Sequence, residues 1–432
     1  MERCDTTKYE REIEYLFNQF PMYQKVGDRA FKPGLDMMMA FDRALGSPHR
    51  RYPIIHIAGT NGKGSVSHML TSVLMQLGLK TGLYTSPHLL DFRERIRING
   101  EMIPKEKVLE FIESWKPFMI ENSPSFFEIT TAMAFHYFAS EKVEIAVVET
   151  GLGGRLDSTN IVVPVLSVIT NIGLDHCAQL GFTIGEIARE KGGIIKEGVP
   201  VVIGEANRNT EHIFDEIAAD RGAQILYAQK QHFKEVTLED YELDLRGHYQ
   251  VHNLRTALTA LYVLGQSVDF RALAGTNWSN DKIREGLRSV ITSTGLRGRW
   301  ESLSLNPPVI CDTGHNYSGL IEVFSQLTKE KFTRLFSIIG FVNDKDIDHI
   351  TSILPRSSYY YYTSAKIPRA MDALVIEKKC CSAGLRGEVK NSVEEAIRDY
   401  FECCIEGDLL FIGGSTYIVA EAMEWFSKFH KT

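Results

Sequence analysis

Residues 54–70, "IIHIAGTNGKGSVSHML", read as a buried strand, a glycine-rich turn and the start of a helix. The usual phosphate-loop pattern is G-x-x-x-x-G-K-[ST]; here only Thr60 and Asn61 separate Gly59 from Gly62, and Gly64 stands between Lys63 and Ser65. The physical requirements are nevertheless met. Glycines let consecutive N–H groups face an anion, Lys63 supplies a point charge, and a helix N-terminus follows. Val66, Met69, Leu70, Val73, Leu74 and Leu77 recur at the spacing of an amphipathic helix. The plain alternative is an ordinary glycine-rich βα turn, but Gly, Lys and a hydroxyl rarely coincide between an apolar strand and a helix start.

Outward from this stretch, "TGLYTS", "EIAVVET", "VLSVITNI" and "VPVVIGE" read as further strands, separated by helical patterns. That alternation predicts a mostly parallel sheet covered by helices. Ligands in such sheets gather beyond the carboxyl ends of strands, where Gly59, Ser86, Glu149 and Asn171 fall. Residues 291–300, "ITSTGLRGRW", lose apolar periodicity and read as a linker. "PPVICDTGHN", "RLFSIIGF", "SSYYYYTS" and "DLLFIGGS" then begin a second series, with helical "SVEEAIRDYFECC" and "TYIVAEAMEWF". The fold expected is α/β, with an N-terminal P-loop ATPase domain (1–293) and a smaller, Rossmann-like C-terminal α/β domain (294–432). Tyr359 to Tyr362 read as an aromatic strand.

The 432 residues, 44% hydrophobic and 24% charged, are those of a soluble globular chain too long for one core. A net charge of −7 gives no basic footprint, so nucleic acid is not the expected partner. The charged start "MERCDTTKYEREIEYLF" lacks the apolar core of a signal peptide, and no apolar run is long enough to span a membrane. The seven cysteines form no C-x-x-C or zinc-like spacing, which fits a reducing cytoplasm and gives them no catalytic role.

Glu149, closing a strand, is the first choice for a metal ligand beside bound nucleotide; a solvated strand-end carboxylate is the bland alternative. Arg93, Arg95 and Arg97 alternate as one solvated strand face would. Asp175 and His176 lie just past a strand. Lys191, followed by two glycines, reads as a helix-end cation near the last carbonyls.

Taken in order, "GTNGKGS", "TSPHL", "RIRING", "ETGLGGRLDSTN", "TNIGLDH", "EKGGIIK", "HNLRTAL", "GRWE" and "DTGHN" resemble the folylpolyglutamate synthase and dihydrofolate synthase family, a branch of the Mur ligase superfamily. The resemblance covers most of the chain and implies an ATP-binding Mur ligase-like domain followed by a glutamate-binding ligase domain. It implies that Gly62, Lys63, Gly64 and Ser65 hold the ATP phosphates, that Asn253, Arg299 and Asp312 contact ATP, and that Ser86, Glu149 and His176 are magnesium ligands. Lys191 matches a lysine often carbamylated in the family; Lys63, Lys191 and His315 are the catalytic candidates. His315 and Ser415 match positions associated with glutamate. Ser125, Phe126, Phe127 and Glu128, with Leu156, Asp157 and Ser158, match segments near the pterin. Two departures lie near these contacts: Ser158 replaces a common Ala, and "DTGHNYSG" replaces "DGAHNP".

The activity implied is ATP-dependent addition of L-glutamate to dihydropteroate, to tetrahydrofolate and its polyglutamates, or to both, through an acyl phosphate. A cytoplasmic monomer is expected. Two other readings remain open. A Mur enzyme acting on a UDP-linked precursor usually carries a separate domain before its phosphate loop, and 58 residues precede Gly59 here. A nucleotide-gated binding protein would bind ATP without forming an amide.

Overall fold

The computed structural model describes residues 6–20, 34–231 and 233–429. The chain forms two compact units, one of residues up to Asp244 with Gln250–Leu296, the other of Leu245–Tyr249 with Arg297 onward. Cys4 lies outside the described residues; the six described cysteines are free thiols.

The first unit is built on eight strands: β1 (Ile54–Ala58), β2 (Thr81–Tyr84), β3 (Ile96–Ile98), β4 (Glu101–Met102), β5 (Ile145–Glu149), β6 (Leu166–Ile169), β7 (Val201–Ile203) and β8 (Ile225–Tyr227). Their order is β4-β3-β2-β5-β1-β6-β7-β8. The strands from β2 to β8 are parallel, and β3 and β4 are added antiparallel at one edge. Helices cover both faces, so β1, β5, β6 and β7 are buried throughout and read as continuous apolar runs. The chain visits β2 and β5 on one side of β1, then β6 on the other. This reversal opens a crevice at the carboxyl end of β1, where the glycine-rich turn begins.

The helix Lys63–Gln76 differs from the amphipathic helix expected. Every residue from Ser65 to Leu74 is buried, because the polar face is covered too. The Ser72 hydroxyl donates to the Gly286 carbonyl at 2.6 Å, and His68 Nδ1 meets Thr294 Oγ1 at 2.7 Å. Thr294 ends the helix Val290–Thr294, so the first part of the expected linker is helical and packed. The three arginines also depart from expectation. Phe92–Arg95 is a 3-10 turn closed by an Asp91/Glu94 capping box, and Arg93 grips Asp91. Arg95 is buried and donates to His88 Nδ1, while Arg97 donates to the Gly100 carbonyl. A turn rotates successive side chains differently from a strand, so no common solvated face exists.

The second unit has β9 (Glu301–Leu305), β10 (Pro308–Cys311), β11 (Leu335–Ile339), β12 (Ser358–Tyr362), β13 (Arg386–Val389) and β14 (Leu409–Gly413), in the order β13-β12-β11-β14-β10-β9. All pairs are parallel except β10 with β9. Tyr360 and Tyr362 stack in its core, while Tyr359 on the opposite face is partly exposed, as period-2 alternation requires. The architecture is thus the α/β arrangement of two mostly parallel sheets that the strand pattern predicts. No described helix is long and apolar enough to cross a membrane.

Candidate active site

The turn after β1 is held open as an anion cradle by partners far along the chain. Gly59 has φ +151° and Gly62 φ +86°; a Cβ on Gly59 would lie 1.9 Å from Thr170 Oγ1, and one on Gly62 2.2 Å from Asn253 Oδ1. Only glycine satisfies both the conformation and the approach. The segment after β6 latches the turn: Thr60 N–H donates to the Asn171 carbonyl, Asn61 N–H to Asn171 Oδ1 at 2.8 Å, and Thr170 Oγ1 to the Asn61 carbonyl at 2.6 Å. Behind it, Asn253 Nδ2 donates to Gln250 Oε1 at 2.8 Å and Gln250 Nε2 to Ser65 Oγ at 3.2 Å. Gln250 is completely buried and was missed in the sequence, although its spacing of three from Asn253 puts both on one helix face. Asn253 therefore supports the turn through Gln250 and by its close approach to Gly62.

Lys63 Nζ lies over the cradle, donating to the carbonyls of Gly59 (3.1 Å) and Thr60 (3.2 Å), 4.0 Å from Glu149 Oε1. Glu149 ends β5 beside β1, with Ile57 as its register partner, and also accepts from Ser86 N–H at 3.3 Å. Ser86 follows β2, so three adjacent parallel strands deliver Ser86, Glu149 and the turn to one end of the sheet. His176 sits in the left-handed region, and its N–H donates to its neighbour Asp175. Among the described residues no three His, Cys, Asp or Glu side chains gather as a metal cage. A buried carboxylate and a serine at a phosphate cradle still fit magnesium, which takes few protein oxygens and completes its shell with water and phosphate.

Lys191 departs most from its plain reading. It lies near the end of the helix Ile184–Gly192, yet its Nζ reaches the Gly59 carbonyl at 2.8 Å and is 4% exposed. Burial, and secondarily the charge of Lys63, pulls its pKa from 10.5 to about 7; Asp175 and Asp157 oppose the shift. The glycines after it serve close packing. A Cβ on Gly193 would lie 2.5 Å from Arg155 Cα, and Arg155 N–H donates to the Glu190 carbonyl at 2.7 Å. "EKGG" and "GLGGR" are therefore two sides of one contact.

The segments matched to pterin contacts are largely committed inward. Ser125 and Glu128 form a reciprocal capping box at the start of the helix Phe126–Ser140, and Phe126 lies in the core. The Phe127 ring covers Gly151 and is half-buried, as are Leu156 and Ser158. Asp157 is 3% exposed and accepts from the backbone of Gly151, Leu152 and Thr159 and from the Thr159 hydroxyl.

In the second unit Asp312, at the end of β10, is the organising group. It accepts from Tyr249 Oη (2.6 Å), Gly314 N–H (2.7 Å) and Trp300 N–H (2.8 Å); burial pushes its pKa up while these donors and Arg299 oppose the shift. Arg299 donates to Thr313 Oγ1 and to the Gly298 carbonyl. His315 Nδ1 lies 3.0 Å from the Thr313 carbonyl, which only accepts, so this nitrogen carries a proton and Nε2 is the basic atom of the neutral ring. Ser415 follows β14, the parallel neighbour of β10, and is placed by the pairing of Asp312 N–H with the Ile412 carbonyl. Arg299, Asp312, His315 and Ser415 thus gather at the carboxyl end of one strand pair.

The first unit thus carries a glycine-rich turn with two lysines, and the second unit a separate polar cluster at the end of β10. Residues 57–265 match the Mur ligase middle domain and residues 298–416 the Mur ligase glutamate ligase domain. The dihydrofolate synthase/folylpolyglutamate synthase of Bacillus subtilis is 34% identical over 375 residues, covering 78% of this chain and 83% of that protein. The structure of E. coli FolC in complex with DHPP and ADP superposes with a TM-score of 0.83 at 28% identity, covering 98% of both chains. A probable bifunctional folylpolyglutamate synthase/dihydropteroate synthase of Haloferax volcanii is 31% identical, and the chain spans about half (48%) of its length. The chain belongs to the folylpolyglutamate synthase/dihydrofolate synthase family.

Proposed function

We propose that this protein joins L-glutamate to a pteroate or folate carboxylate at the expense of ATP, accepting both dihydropteroate and reduced folates. The observation that carries the reading is Lys191, a buried lysine from another helix whose Nζ bonds the Gly59 carbonyl of the phosphate turn. A carboxylate does not condense with an amine at neutral pH, because its leaving group is oxide. Transfer of the ATP γ-phosphoryl group makes an acyl phosphate, and attack by the glutamate amine then expels phosphate.

In this scheme the backbone of Gly62, Lys63, Gly64 and Ser65 cradles the phosphates, and Lys63 leaves the turn carbonyls to meet the transferring group. Ser86, Glu149 and His176 would hold magnesium, which supplies charge neutralisation between the phosphates. Lys191, its pKa lowered to about 7, offers a substantial share of free amine at pH 7 to attack carbon dioxide, giving a carbamate and one released proton; the resulting anion replaces a cation beside Lys63. Asn253, Arg299 and Asp312 are assigned to ATP, Asn253 and Asp312 chiefly by shaping the backbone around it. Phe127, Leu156 and Ser158 face the acceptor, while Ser125, Phe126, Glu128 and Asp157 hold their backbone in place. His315 and Ser415 receive glutamate, and His315 Nε2 takes the amine proton. ATP, glutamate and the acceptor are small molecules, and a cytoplasmic monomer is sufficient for the chemistry.

The test is phosphate release from Mg-ATP and glutamate with dihydropteroate or tetrahydrofolate, followed by mass spectrometry. Glutamylation of both acceptors is expected, with hydroxylamine diverting the reaction to a hydroxamate. ATP binding with neither amide nor hydroxamate formed would overturn the reading.

A further inference from the structure

One buried group of the first unit has no part in the scheme above. His56 is the middle residue of β1, fully buried, three residues before Gly59, where the phosphate turn begins. Its Nε2 lies 2.8 Å from Thr159 Oγ1, and its Nδ1 is buried without a partner. Thr159 Oγ1 in turn lies 2.5 Å from Asp157 Oδ1.

The proton positions along this chain follow from counting. A carboxylate offers about four acceptor sites. Asp157 Oδ2 takes the N–H groups of Gly151 and Leu152, both at 2.8 Å, and Oδ1 takes the Thr159 N–H at 3.0 Å and the Thr159 hydroxyl. With every site filled by a donor, Asp157 is ionised despite its burial. The single hydroxyl proton of Thr159 is committed to Asp157, so toward His56 the same oxygen only accepts. The proton of His56 is therefore on Nε2, and the unpartnered Nδ1 is a bare acceptor. That is the tolerable arrangement, since a buried orphan N–H is the rarer and costlier defect.

We propose that His56 is a positioning residue: as the Nε2–H tautomer it fixes Thr159, and through Thr159 and Asp157 the loop Gly151–Ser158, tying the strand that carries the phosphate turn to the loop assigned to the acceptor. The inference rests on the acceptor assignment above. Its specificity lies in direction. The relay ends on the backbone of Gly151 and Leu152, whereas the turn is latched by Thr170 and Asn171, with Asn253 packed close to Gly62.

Two measurements test it. In protein labelled with nitrogen-15 at histidine, the His56 ring should show a protonated Nε2 and a bare Nδ1 near neutral pH, without any turnover; a proton on Nδ1 overturns the relay. In steady-state kinetics, His56→Phe should raise the acceptor KM by about three- to tenfold, the worth of one buried hydrogen bond, with the ATP KM unchanged. His56→Gln, whose amide nitrogen reaches the position of Nε2, should restore most of the loss. Equal rises in both KM values, or no recovery with Gln, would reduce His56 to a packing role. Wild-type glutamylation of the acceptor is scored separately, so failure of the ligase reading is distinguishable from failure of the relay.

Discussion

Substituting Gly62 by Ala puts the phosphate cradle to its most direct test. The new Cβ would sit 2.2 Å from Asn253 Oδ1 and 3.2 Å from its Cγ, at a φ of +86°. The left-handed conformation costs an alanine about 1–2 kcal/mol. Displacing Asn253 breaks its bond to Gln250 and loosens the Gln250 bond to Ser65, adding about 0.5–1.5 kcal/mol for each. Relaxation of the side chains recovers part of this, leaving about 2–4 kcal/mol concentrated at the cradle, or roughly thirty- to a thousandfold in nucleotide affinity. Isothermal titration with ADP and magnesium measures the loss. Gly198 is the control: at φ +68° an added Cβ would meet nothing within 4 Å, so Gly198→Ala carries the backbone strain alone and should leave ADP affinity unchanged. If Gly62→Ala binds ADP within about twofold of wild type, the cradle does not depend on the Asn253–Gln250 support and the reasoning is refuted.

Other consequences are as direct. Lys191 holds its proton at about 7 in the folded protein against 10.5 when exposed, so between these values unfolding takes up a proton and stability rises with pH. In bicarbonate-free, nucleotide-free protein, Lys191→Met should remove this rise, worth up to about 4 kcal/mol across the window, as read by denaturant titration at pH 7 and pH 10. Tyr249→Phe deletes a bond to a buried carboxylate and should cost about 1.5–3 kcal/mol, seen as a lowered melting temperature. Ser125→Ala removes a cap, since the hydroxyl accepts from Glu128 N–H, and should cost about 1 kcal/mol, seen as a lowered melting temperature. Gln250→Ala should weaken ADP binding about three- to tenfold by freeing Ser65.

The sequence by itself determined the elements and their chemistry. The buried runs of β1, β5, β6 and β7 are legible because two-sided burial leaves a continuous apolar string, and the cradle is legible because its glycines, lysine and serine are neighbours in the chain. Tertiary structure alone decided what those groups bond to. Lys191 meets Gly59 across 132 residues, and Gln250 meets Ser65 across 185; no local periodicity encodes such pairings. The same holds for residues whose sequence position suggested ligand contact. Ser125, Glu128 and Asp157 turn inward because buried N–H groups must be satisfied, and their side chains are the nearest acceptors. Propensity and pattern act over a few residues, whereas hydrogen-bond satisfaction acts over whatever the fold brings within about 3 Å.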